Sequence, residues 1–145
     1  MFLGRSEHTI DDKGRLIIPV RFRELMDRGA YVTSGFDRNL MVLTTTGFDQ
    51  IYAYINQMSL TDPSARQLKR LIFSAAERVE TDKVGRILLP QYLREQAQLE
   101  NDVILVGVGD FFEIWSPANW KKQNELLQDS EANEHRFAAF NLPTR

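Results

Sequence analysis

Asp11-Asp12-Lys13-Gly14-Arg15-Leu16-Ile17-Ile18-Pro19 returns later in the chain as Asp82-Lys83-Val84-Gly85-Arg86-Ile87-Leu88-Leu89-Pro90. Acid, glycine, arginine, three aliphatics and proline recur at a constant offset of 71 residues, and Arg23-Glu24 returns as Arg94-Glu95 at the same offset. A match of this length inside 145 residues marks an internal repeat, which decides the fold before any single element does. Asp and Gly in each copy predict a tight turn, because Asp bonds back to nearby amides and Gly tolerates positive φ. The unbroken aliphatic run after each arginine predicts a strand covered on both faces. Each proline then suits the first position of a helix, where its missing N–H is not needed.

Working outward from the first copy, residues 1–10 lead in as a strand, and an apolar stripe at 20–26 predicts a short helix over 19–27. Strands are expected at 31–33 and 40–43, with a turn at 35–39. Thr46-Gly47-Phe48-Asp49 resembles a capping box opening a helix. Asp62-Pro63 starts another, running to about 75. The second copy replays the order: strand 78–81, turn 82–85, strand 86–89, helix 90–98, strands 103–106 and 111–115, and a helix from 116–117 to about 127. Residues 129–145 read as an acidic and polar, partly ordered tail with a small Phe cluster at 137–140. The chain therefore divides into a first half (1–62), a linking helix (63–76), a second half (77–128) and the tail (129–145). Each half is roughly β-β-α-β-β-α. Neither has enough apolar surface to stand well alone, so the two are expected to share strands across a pseudo-two-fold axis.

Composition sets limits on function. The chain is 43% hydrophobic and 26% charged, which suits a packed globular protein and not a disordered one; the order of its elements makes the expected class α+β. With no cysteine and only His8 and His135, a thiolate or histidine-rich metal site is not expected. No signal peptide and no membrane-length apolar run is read from the sequence. Net charge is -2, which alone argues against a nucleic-acid partner, but the charge is uneven. Residues 66–95 carry seven positives (Arg66, Lys69, Arg70, Arg78, Lys83, Arg86, Arg94) and four negatives (Glu77, Glu80, Asp82, Glu95), whereas 100–134 carries eight negatives and only Lys121 and Lys122. A local basic patch binds phosphate even on an acidic chain.

The twin motif places Arg15 and Arg86 directly after glycine turns, at the start of strands. An arginine held on rigid backbone presents planar donors matched to phosphate or to guanine O6/N7. Lys13 and Lys83 add charge to the same turns. Asp11 and Asp82 stand four residues before the arginines and are placed to orient them; the alternative is that the Asp–Arg pairs only lock a hairpin. Arg23 and Arg94, each followed by Glu, read as surface or interface ion pairs. The basic face of Arg66, Lys69 and Arg70 reads as a solvated helix face, and Phe111, Phe112 and Trp115 as core or interface. An enzyme reading finds little support. Gly107-Val108-Gly109 lacks the third glycine and the following helix of a dinucleotide loop, and no serine sits in a nucleophile elbow.

These residues resemble the MraZ family, within the AbrB/MazE/SpoVT swapped-hairpin superfamily. The carriers are Asp11 to Arg15 and Asp82 to Arg86, two Asp-x-x-x-Arg signatures each leading into aliphatics and Pro, together with Met1-Phe2-Leu3-Gly4 and Phe112-Glu113-Ile114-Trp115. The resemblance spans residues 1 to about 127. It implies two AbrB-like (SpoVT-AbrB) halves around a pseudo-two-fold β-barrel core with added helices, assembled as a ring of identical chains. It also implies a cytoplasmic, nucleoid-associated repressor that binds direct repeats in double-stranded DNA, in the promoter of the division and cell wall gene cluster, its own gene included. By analogy Arg15, Arg86, Lys13 and Lys83 are the DNA-contacting residues, and Asp11, Gly14, Asp82 and Gly85 shape and orient them. No cofactor, metal, membrane or small-molecule effector is expected. A different class stays open: a protein-interaction module of antitoxin type that captures a partner with the tail from Asp129.

Overall fold

The computed structural model describes residues 1–143. The first half runs β1 (Arg5–Thr9), β2 (Arg15–Ile17), α1 (Val20–Arg23) continued by a 3₁₀ turn at Glu24–Met26, β3 (Ala30–Ser34), β4 (Leu40–Thr44), α2 (Thr45–Asn56) and α3 (Pro63–Phe73). The second runs β5 (Glu77–Val79), β6 (Arg86–Leu88), α4 (Gln91–Gln96), β7 (Asp102–Gly107), β8 (Phe111–Trp115), α5 (Pro117–Leu127) and α6 (Ser130–Phe137).

Helix starts follow local chemistry, with two shifts from expectation. Pro19 and Pro90 stand one residue ahead of α1 and α4 rather than inside them, in extended conformations with ψ of 144° and 146°. The capping residue of α2 is Thr44, not Thr46: its Oγ1 accepts the Gly47 amide at 3.0 Å. Ser116 is its counterpart 72 residues on and accepts the Asn119 amide at 3.1 Å. Asp62 caps α3 through the Ser64 amide at 2.9 Å. The segment expected to be a partly ordered tail carries α6, capped by Asp129 through the Ala132 amide.

Six strands form one antiparallel sheet in the order β1-β7-β8-β4-β3-β5, and β2 and β6 form a separate two-stranded ribbon. The order explains why the halves are inseparable. β1, from the first half, pairs with β7 of the second, from Arg5↔Val106 to Thr9↔Asp102. β5, from the second, pairs with β3 of the first. β4 and β8 join in the middle, Leu40 opposite Ile114. Exchanging β1 with β5, β7 with β3, β8 with β4 and β2 with β6 leaves the pattern unchanged, which is the pseudo-two-fold that the repeat predicts. The six-stranded sheet is open, with β1 and β5 at its edges. An isolated Ile10–Leu16 bridge links it to the ribbon, and among the described residues no continuous ladder closes a barrel.

Period-2 alternation gives the sheet two buried faces. Leu40 and Val42 of β4, Val103 and Leu105 of β7, and Phe112 and Ile114 of β8 face the ribbon, where they meet Leu16, Ile18, Ile87 and Leu89. Rings of Phe2, Phe22 and Phe112 fill one end, with centroids 5.0–5.3 Å apart. On the opposite face Met41 and Leu43 meet Ile55 of α2 and Ile72 of α3, and Ile104, Val106 and Trp115 meet Trp120 of α5. The ribbon has protein on one side only. Ile17 and Leu88 are 53% and 58% exposed, so the strands expected to be covered on both faces alternate instead.

Candidate nucleic-acid interface

The two motif turns are built alike, hydrogen bond for hydrogen bond. In the first, the Gly14 amide donates to the Asp11 carbonyl at 3.0 Å and the Asp11 amide to the Arg15 carbonyl at 3.0 Å. Asp11 Oδ1 accepts the amides of Lys13 and Arg15 at 3.0 and 2.9 Å, and Oδ2 accepts Arg15 Nε at 2.7 Å. In the second, Asp82 Oδ1 accepts the amides of Val84 and Arg86 at 3.0 and 2.9 Å, and Oδ2 accepts Arg86 Nε at 2.8 Å. The amide of the following arginine, more than the guanidinium, holds each aspartate below the usual carboxylate range. Both aspartates are therefore charged at neutral pH and fully engaged. Each arginine is fixed through Nε, and its Nη1 and Nη2 make no hydrogen bond among the described residues.

The ribbon register decides where those arginines point. Arg15 lies opposite Leu88, Leu16 opposite Ile87 and Ile17 opposite Arg86. Directly opposed residues share a face and residues two apart on a strand share a face. Arg15, Ile17, Arg86 and Leu88 therefore all stand on the outer side, and Leu16 and Ile87 on the inner. The two arginines are diagonal neighbours, about 7–8 Å apart at the backbone. Val84, two residues before Arg86, is exposed as well. Lys13 and Lys83 are both exposed on the turns but not at equivalent places: the Lys13 amide bonds where the Val84 amide does.

Arg23 and Arg94 make no ion pair with their neighbouring glutamates, nor with any acid among the described residues. Each lies instead over the motif turn of the other half. Gly14 and Gly85 have φ of +83° and +84°, and a Cβ on Gly85 would run into Arg23 Nη1, while one on Gly14 would meet Arg94 Nη2 at 3.0 Å. Arg94 Nε donates to the Leu89 carbonyl at 3.0 Å, whereas Arg23 Nε is buried with no hydrogen-bond partner among the described residues. The turns are thus clamped across the pseudo-axis, and two further guanidinium charges stand beside them. Sequence reasoning missed Arg23 and Arg94 as turn contacts and Ile17 and Leu88 as surface residues. The 71-residue echo of the first pair and strand alternation for the second were the available signals.

Among the described residues no three His, Asp or Glu side chains are grouped to hold a metal ion, and no helix is long and apolar enough to cross a membrane.

Residues 1–71 and 72–141 each match the MraZ family, described as "MraZ protein, putative antitoxin-like". The chain is 48% identical over 127 residues to the transcriptional regulator MraZ of Thermomicrobium roseum, covering 88% of this chain and 89% of that one. It is 43% identical over 138 residues to the transcriptional regulator MraZ of Roseiflexus castenholzii, covering 95% and 94%. Against the protein of the same name from Dictyoglomus turgidum the identity is 41% over 138 residues, covering 92% and 94%.

Proposed function

The chain belongs to the MraZ family, and on that premise we propose that it is a DNA-binding transcriptional regulator that reads duplex DNA with the outer face of the β2–β6 ribbon. The observation that carries this reading is the register that puts Arg15 and Arg86 on one face, each guanidinium fixed at Nε by its own aspartate, its outer nitrogens without a hydrogen bond among the described residues. A two-stranded ribbon fits the major groove, about 12 Å wide. There the Nη pair of each arginine suits guanine O6 and N7, and Ile17 and Leu88 suit the methyl of thymine. Lys13, Lys83, Arg23 and Arg94 contact or attract phosphate.

The family resemblance carries the finer reading. Each half is AbrB-like. The target is a set of short direct repeats in the promoter of the division and cell wall gene cluster, including the chain's own gene, and the effect is repression at the nucleoid in the cytoplasm. Copies of the chain assemble into a ring, so that several ribbons each meet one repeat and weak contacts combine. No catalysis enters this reading. Titration of fluorescent DNA from upstream of the chain's own gene tests it: Arg15→Ala is expected to weaken binding about 10-fold or more, with assembly mass unchanged. Unaltered affinity would remove Arg15 from the reading face. Deleting 129–145 leaves the ribbon intact and is expected to retain one-ribbon DNA contact, which sets this reading apart from partner capture by the tail.

A further inference from the structure

An apolar groove of about 490 Å³ opens between α2, α3 and the outer face of β4 and β8. Met41, Leu43, Ile55 and Ile72 form its floor, and exposed Phe36 and Tyr54 stand at its mouth. Its polar lining includes Asp37, Asp110 and Glu113. None of the three has an ion-pair partner among the described residues. Burial pushes the Glu113 carboxyl up, against the hydrogen bond it accepts from Trp115 Nε1. The groove is therefore apolar inside, with half-buried Glu113 set beside Met41 in its floor and exposed Asp37 and Asp110 as the acids of its edge.

The chain also carries a segment of the opposite character. From His135 to Pro143 the sequence is HRFAAFNLP, with Arg136 and no acid. Phe137, Phe140 and Leu142 are 45%, 65% and 73% exposed, and the two phenyl rings stack at 6.1 Å. In its own chain α6, which leads into this segment, is held at the end of α5: Asn133 Nδ2 donates to the Leu127 carbonyl at 2.8 Å and, from the segment itself, Arg136 Nη2 to the Leu126 carbonyl at 3.0 Å. The equivalent helix of the first half, α3, seats Ile72 on the sheet, whereas α6 buries no residue.

We propose that the basic, Phe-bearing segment 136–143 of one copy docks in the acid-rimmed groove of the next. Charge complementarity selects this occupant over a neutral apolar one. Plug and socket are different surfaces, so the contact is heterologous and repeats from copy to copy, closing a ring or running on as a filament. The groove floor (Met41, Leu43) and the ribbon-facing residues (Leu40, Val42) alternate along β4, so docking takes place across the sheet from the reading ribbon and leaves it free. The inference rests on the self-assembly named above and supplies its joint.

The absence of native cysteine allows a direct test. Phe140→Cys and Tyr54→Cys chains, mixed and mildly oxidised, are expected to give a disulfide-linked dimer that neither forms alone. A chain carrying both is expected to give a ladder. A double-cysteine chain that closes only within itself would assign the groove to its own tail and overturn the proposal. By light scattering, Phe140→Asp and Tyr54→Arg are each expected to weaken self-association about 30-fold or more, with unchanged circular dichroism. Mixed together they retain one good plug and one good socket and should stop at a dimer. A wild-type chain that is monomeric overturns self-assembly and this joint together. A wild-type oligomer indifferent to all these changes overturns the joint alone.

Discussion

Asp11 commits both carboxylate oxygens inside its own turn: Oδ1 takes two amides and Oδ2 the Arg15 guanidinium. Asp82 does the same for Arg86. Because the folded chain depresses both carboxyls from their ordinary 3.8, each contributes stability above that value. The contribution is lost as pH falls below it, toward the depressed folded pKa. Thermal melts from pH 6 to pH 3 should therefore show a steeper loss below pH 4 for the wild type than for the double variant Asp11→Asn, Asp82→Asn; parallel curves would remove the turns from the acid transition. At pH 7 the same double variant is expected to bind DNA about 5-fold or more weakly, because asparagine keeps an acceptor but loses the charge that fixes the guanidinium. Gly85 sets the shape of its turn. At φ +84° an added Cβ is strained whatever the space, and here it also meets Arg23. Gly85→Ala should cost about 1–2 kcal/mol in urea unfolding.

The ribbon is the element whose two sides do different work. Its inner side is core: Leu16 and Ile87 are 0% and 1% exposed. Leu16→Ala should lower stability by about 2–5 kcal/mol through the cavity it leaves, measured by denaturant unfolding. Its outer side is surface, and Ile17→Asn and Leu88→Asn should leave the melting temperature nearly unchanged. If these two residues read thymine methyls, the Asn variants should bind a promoter with uracil in place of thymine as well as one with thymine. The wild type should lose affinity on that substitution. Equal wild-type affinity for both DNAs would sink the methyl contact. Much of this element was legible: turn, glycine, arginine and proline stand in the sequence, and the 71-residue echo makes β2 and β6 equivalent, whereas their pairing with each other shows only in the fold. The exposed side was not, since Leu16-Ile17-Ile18 reads as continuous apolar sequence and only the tertiary layering shows that one face lacks a cover. The cap of α2 was missed because Thr44, Thr45 and Thr46 are adjacent. Ser116, 72 residues on, singles out Thr44. Arg23 and Arg94 contact turns in the other half, a relation that no local pattern encodes.

At the scale of the molecule, the pairing order makes a prediction about each half by itself. β1 leaves its own half to pair with β7, and β5 leaves its own to pair with β3. A chain of residues 1–76 therefore keeps β1, whose partner is gone, and β3, whose outer neighbour is gone. The pseudo-two-fold equates β1 with β5 and β7 with β3, so β1 of one such chain fits beside β3 of another. β2 would pair with a second β2 in place of β6, bringing Leu16 against Leu16 as it now meets Ile87. β4 would meet a second β4 in place of β8, with Leu40 and Val42 inward on both. One copy alone would instead expose the fully buried Leu16, Leu40 and Val42, a loss of about 1.5–3 kcal/mol for each. Residues 1–76 are thus expected to fold only as a strand-exchanged dimer. Its melting temperature should rise with concentration, and it should carry two copies of Arg15 on one ribbon face. Light scattering and melts at several concentrations check this. A folded monomer, or a melting temperature independent of concentration, would show that the strand exchange across the halves is not what holds the fold together.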